Sequence, residues 1–204
     1  MSDPPLPPRP WESLPPGTAA ALRRHQPPLA PQIIEAIRRG VPAYARPLTG
    51  AFGEGVRTGV DAALDQFLAM LEQPSGAPLS GRGVYRALGA GEAREGRSLE
   101  ALLAAYRIGA RVAWRHVARI AQEEQLGEAT LALLAESIFA YIDELSAESA
   151  EGHAREQSAA AGETERRRRV LARLLTSTPP ADGAAIAEAA RAAQWELPAA
   201  MAAL

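Results

Sequence analysis

Apolar residues recur three and four positions apart through most of the chain, the spacing of one face of an α-helix. Ile33, Ile34 and Ile37 predict a helix over Pro31–Gly40, with proline in the first turn and glycine as the stop. Leu48, Phe52, Val56, Val60, Leu64, Phe67 and Leu71 predict a second over Pro47–Glu72. A Pro- and Gly-rich loop follows over Gln73–Gly83, then a short helix over Val84–Glu95. Ser98 is a good N-cap for the strongest pattern of the chain, Leu99 to about Gln125. Its apolar arc is wide, which predicts a central helix packed on more than one side, and Gly127 breaks the pattern. The last long helix begins at Glu128, and no proline falls between Pro78 and Pro179. It is expected to continue to Leu175, with Gly152 and Gly162 as candidate breaks, and at ~1.5 Å per residue to project roughly 70 Å. A further helix is expected over Ala184–Ala193.

These patterns imply an all-α fold in four parts. Residues 1–30 hold nearly all of the ten prolines found before Gln32, so they read as a disordered arm with a short helix at Thr18–His25 as its one candidate element. Residues 31–160 are expected to be a helical sensory and dimerisation domain, 161–178 a helical connector, and 179–204 the start of a further unit that is cut short.

Composition supports helix over strand: alanine supplies much of the 47% hydrophobic fraction and aromatic residues only 5%. The net charge of −2 gives no global argument for nucleic acid or membrane surfaces. All 22 basic residues are arginine. The absence of cysteine excludes disulfides, thiol nucleophiles and zinc–thiolate sites. Without an apolar signal region or an 18-residue apolar stretch, the chain is expected to be cytoplasmic, with no membrane partner.

Few residues suggest chemistry. Arg107, Arg111, Arg115 and Arg119 lie four apart and wind slowly around one helix. They are a candidate ligand or partner face, weighed against a plain solvated surface. Ala105, Gly109 and Ala113 form a row of small residues that lets another helix approach, within the chain or across a dimer, so enlarging Gly109 is expected to cost stability. His116 stands at the edge of the apolar arc without a second histidine at ligand spacing, so neither haem nor metal is expected. Arg166–Arg169 is the densest charge run, but four adjacent residues point all round a helix and make no single basic face. Glu92, Glu95 and Glu100 around Gly96 read as a helix junction rather than an acid–base pair. No phosphate loop, paired carboxylate or nucleophile triad is present, so no catalytic role is assigned.

The run Gly96-Arg97-Ser98-Leu99-Glu100-Ala101-Leu102-Leu103-Ala104-Ala105-Tyr106-Arg107-Ile108-Gly109-Ala110-Arg111-Val112-Ala113-Trp114, with Leu88-Gly89 and Glu92-Ala93 before it, resembles the N-terminal region of PucR/CdaR-type bacterial transcription regulators. Phe139–Ser146, Glu151-Gly152-His153 and the Arg166–Leu175 connector are similar as well. The resemblance implies an RsbR-type sensory domain: a globin-like helical bundle, usually without haem, followed by further domains ending in a helix-turn-helix. The length of the last helix and the small-residue row predict a homodimer; a small-molecule or protein effector is expected, and the resemblance implies that DNA is met only through a C-terminal domain that this chain lacks. The rival reading is a protein-partner-binding scaffold resembling the RsbT co-antagonists of a stress-response complex. A pocket of a few hundred Å³ between helices would favour the sensor.

Overall fold

The computed structural model describes residues 9–24, 29–45, 50–73 and 82–197. The expected helix start at Pro47, most of the loop after Gln73, His25 and the two chain ends lie outside them. The described residues are 84% helical and contain no strand, so the fold is all-α. The helices are α1 (Thr18–Arg24), α2 (Leu29–Gly40), α3 (Gly50–Glu72), α4 (Arg82–Arg94), α5 (Leu99–Glu123), α6 (Glu128–Leu175) and α7 (Gly183–Ala192). Two short 3₁₀ turns occur at Pro10–Ser13 and Pro42–Tyr44. The chain divides into two compact units, Met1–His153 and Ala154–Leu204.

Local chemistry sets the helix ends. Ser98 caps α5, its Oγ accepting from the Ala101 N–H at 3.3 Å. At the end of α4, Gly96 takes φ +70°, and the Arg97 and Gly96 N–H groups return to the Glu92 and Ala93 carbonyls. That is a Schellman ending, which needs a left-handed residue after the last turn. Helix α5 ends in the same way, but its left-handed residue is Gln125 rather than the glycine at 127.

The core of the first unit joins residues far apart in sequence. Phe67 and Leu68 of α3, Val117 and Ile120 of α5, and Leu134 and Tyr141 of α6 are all buried in one cluster. A second cluster packs Ile33 and Ile37 of α2 against Ala105 of α5. Burying one such aliphatic side chain stabilises by about 1.5–3 kcal/mol.

The expected disordered arm does not hold for residues 9–24. Trp11 is only 5% exposed, and it joins Ala19 and Leu22 in the main core cluster. The prolines do not oppose this, because none sits inside a helix. Pro10 opens the first 3₁₀ turn, where its fixed φ suits the geometry, and Pro15 and Pro16 precede α1. Arg23 of α1 pairs with Glu72 of α3, Nε to Oε1 at 2.5 Å and Nη2 to Oε2 at 3.0 Å. The bond from Arg23 holds the Glu72 carboxyl below its ordinary range. A lowered folded value means that this small contribution is complete above the ordinary carboxylate pKa and disappears as pH falls through the lowered one. Trp11→Ala should cost about 3–5 kcal/mol in urea unfolding, as for other buried large aromatics. An unchanged midpoint would show that the arm is dispensable.

Helix α6 is unbroken at Gly152 and at Gly162. In the second unit, Leu171 of α6 is buried with Ala190 and Ala193. The segment after 178 therefore does build a small core, which the sequence pattern alone does not show. Arg166 and Arg167 pair with Glu163, and Arg169 with Glu165. Two carboxylates one turn back along the same helix thus offset half of the charge of that run.

Candidate functional site

Helices α2, α3, α5 and α6 supply most of the wall of a partly open cavity of about 150 Å³ in the first unit. Its origin is visible in the residues that face it. Gly59 and Ala63 of α3 and Ala105, Gly109, Ala110 and Ala113 of α5 are too small to fill the space between their helices. The remaining wall is mostly aliphatic or aromatic, including Ile33, Val60, Phe67 and Ile138. Packed protein interiors rarely leave a space of this size. Leucine in place of one of these alanines would reduce it, so the fold keeps a space that its own residue types could close.

The polar groups on the wall are engaged with neighbours. Glu92, 4% exposed, accepts from Arg97 Nε at 2.6 Å and Nη2 at 3.0 Å, and from the Tyr44 hydroxyl at 2.7 Å. The guanidinium also lies 5.9 Å from the centre of the Tyr44 ring. Burial, then the bond to Glu92, pushes the Tyr44 hydroxyl above its ordinary pKa, so it remains a donor. Burial raises the hydroxyls of Tyr85, Tyr106 and Tyr141 too.

Proton counting orients these groups. Ser149 donates to the Tyr85 carbonyl at 3.3 Å, so the Tyr106 hydroxyl is the donor to Ser149 Oγ at 2.7 Å. Tyr141 donates to the Ala63 carbonyl at 2.8 Å and lies 2.7 Å from the Tyr85 hydroxyl. The Tyr85 hydroxyl donates to Gln66 Oε1 at 2.9 Å, which links Tyr141 to α3 a second time through Tyr85. Nδ1 of His116 faces Arg119 Nη2 at 3.2 Å. Arginine has no acceptor, so Nδ1 accepts and the proton of a neutral imidazole sits on Nε2.

The structure separates the two groups of residues marked from sequence. Arg107, Arg111, Arg115 and Arg119 are all exposed on α5, away from the cavity-lining positions, and Arg119 pairs with Glu123 at 2.6 Å. Ala105, Gly109 and Ala113 face inward. A Cβ on Gly109 would lie 3.3 Å from Ile33 Cγ2, so an alanine needs the Ile33 side chain to yield by a few tenths of an ångström. The small-residue row is thus a helix crossing with α2 and a cavity wall. A dimer contact there would need a face that α2 already covers.

The closest crossing is elsewhere, between α4 and α6. A Cβ on Gly89 would strike the Ser149 backbone, and one on Gly152 the Arg86 backbone. Arg86 locks the crossing by pairing with Glu148 at 2.6 Å and Glu151 at 2.8 Å, and His153 Nε2 donates to the Arg97 carbonyl at 3.1 Å. Sequence reasoning missed Gly89, Ser149, Gly152 and the Tyr44–Glu92–Arg97 cluster. Glu92 was correctly placed at a helix junction, but its burial and partners were not legible. Among the described residues no three of His, Asp and Glu come together as for a metal, and no helix is long and apolar enough to cross a membrane.

The first unit is a helical domain with a mostly apolar cavity among its helices. Residues 11–176 match the PucR-like N-terminal domain, and the chain belongs to that family. Comparison with curated proteins and with solved structures found no match. The family points to the regulatory region of a PucR-family regulator, and so to a non-enzymatic role.

Proposed function

We propose that this chain is the signal-receiving and dimerising regulatory region of a PucR-family transcription regulator, with DNA contacted by a domain outside residues 11–176. The observation that supports it is the cavity, which at about 150 Å³ is smaller than the few hundred Å³ expected of a sensor pocket. Ile138, Tyr141 and Leu145 of α6 form part of its wall, and α6 remains helical to Leu175. A change in occupancy therefore acts on a rigid element rather than a loop, and two packings of α6 against α3 and α5 would be the two signalling states. The role requires no cofactor and is compatible with a cytoplasmic site of action. The exposed arginines of α5 favour the second reading, a scaffold whose effector is an acidic protein surface.

Two measurements test the proposal. Light scattering should give twice the 21.6 kDa chain mass, and a monomer at tens of micromolar would exclude the dimer. In the intact regulator driving a reporter, Ala110→Leu should hold output at one level whatever the signal. An ordinary response in that variant would refute signal reception at the cavity.

A further inference from the structure

The size and lining of the cavity restrict what can occupy it. An apolar cavity of about 150 Å³ stays dry and accepts a molecule the size of benzene. A multi-ring or drug-sized ligand needs roughly twice that volume or more. Charge is excluded by the state of the wall. The Glu92 carboxylate is already neutralised by Arg97, and the hydroxyls of Tyr44, Tyr106 and Tyr141 are committed to Glu92, Ser149 and the Ala63 carbonyl. A carboxylate or ammonium ligand would be buried without a counter-charge, at a cost that apolar contacts do not recover.

The side formed by α3 suggests the route in. Gly55 is exposed, and Val56, Gly59 and Val60 are half-buried, although all four line the cavity. The first ten residues of α3 include Gly50, Gly53, Gly55 and Gly59, together with β-branched Val56, Thr58 and Val60 just beyond. Glycine and β-branched residues are weak helix formers. Packing does not call for a glycine at 55, where a Cβ would meet nothing within 4 Å, and at 59 the contact with Leu88 would be an ordinary 3.7 Å. Gly55 and Gly59 thus stand over the cavity without a steric reason for being glycine.

We infer that the cavity is a binding site for a small, neutral, apolar molecule no larger than one substituted aromatic ring, admitted by local opening of the first half of α3. The site stands independently of the proposed signalling role; only its regulatory consequence rests on that reading.

Toluene is the probe, with benzoate as its charged counterpart. Titration of the full chain followed by calorimetry and by thermal melting should show toluene binding and a raised melting temperature, with no effect of benzoate. Ala110→Leu, and Ala63→Leu from the opposite wall, should fold and weaken toluene binding by about tenfold or more, because each fills the space. Having two variants on different helices keeps the test decisive if one fails to fold. Gly55→Ala should melt higher than the parent and slow toluene association and dissociation alike. Equal binding of benzoate, absence of toluene binding, or toluene binding that both filling variants retain would overturn the site. Unaltered rates in Gly55→Ala would overturn the route. Toluene binding without any influence of the filling variants on reporter output would leave the site intact and remove the signalling role. A parent chain that binds no toluene, while the filling variants still lock the reporter output, would do the reverse.

Discussion

Replacing Arg97 by methionine should cost about 3–5 kcal/mol, because it leaves the Glu92 carboxylate buried without its cation. Glu92 would keep only the Tyr44 hydroxyl as a partner, in a site 4% exposed. Methionine matches much of the length of the arginine stem, so lost packing contributes little. Arg97→Lys should be intermediate, since an ammonium supplies charge but cannot reproduce the two-pronged contact made by Nε and Nη2. The decisive variant is Arg97→Met combined with Glu92→Gln, which removes the charge as well as its partner and should recover most of the loss. Urea unfolding of the four proteins at neutral pH checks this. A double variant no more stable than Arg97→Met would show that the cost lies in the guanidinium itself and not in the orphaned carboxylate.

The second large effect is expected at the crossing of α4 and α6. Gly89→Ala and Gly152→Ala should each lose about 3 kcal/mol, at the upper end of overpacking costs, because the added methyl meets a backbone that cannot rotate away. Gly91 is the control. It lies two residues from Gly89 on the same helix, and a Cβ there meets nothing within 4 Å. Gly91→Ala should therefore stabilise by about 0.5–1 kcal/mol, the ordinary helix preference for alanine. Opposite signs at 89 and 91 are the signature of the crossing. A gain at both positions in thermal or urea melts would place the helices further apart than described.

Glycine also shows why the chain is readable in parts. The sequence pattern marks Gly152 as a break in a helix, since an isolated glycine carries only a local preference. Its actual role depends on Arg86, more than sixty positions earlier, whose backbone passes over it. Gly109 was placed as a crossing residue because it sits in a row of small residues, and that row is a local feature. That Ile33 is the neighbour is not local. The N-terminal segment was misjudged for the same reason. Ten prolines are a strong local argument against structure, whereas the core that receives Trp11 is assembled from α3, α5 and α6.

The all-α class and the helices α2 to α7, to within a few residues at their ends, follow from the sequence alone. Periodicity, alanine content, the Ser98 cap and the placing of proline act over one or two turns and need no distant partner. The family resemblance was likewise carried by a contiguous run, and residues 11–176 match that family. The cavity, the buried Tyr44–Glu92–Arg97 cluster and the backbone contact between α4 and α6 were decided by tertiary structure. A void arises only when small residues on separate helices face one another, as Gly59 and Ala63 face Ala110 and Ala113 across the cavity. A carboxylate becomes a buried ion-pair partner only when packing removes the water around it. Both are properties of pairs of distant surfaces, which a one-dimensional pattern of apolar and polar positions does not encode.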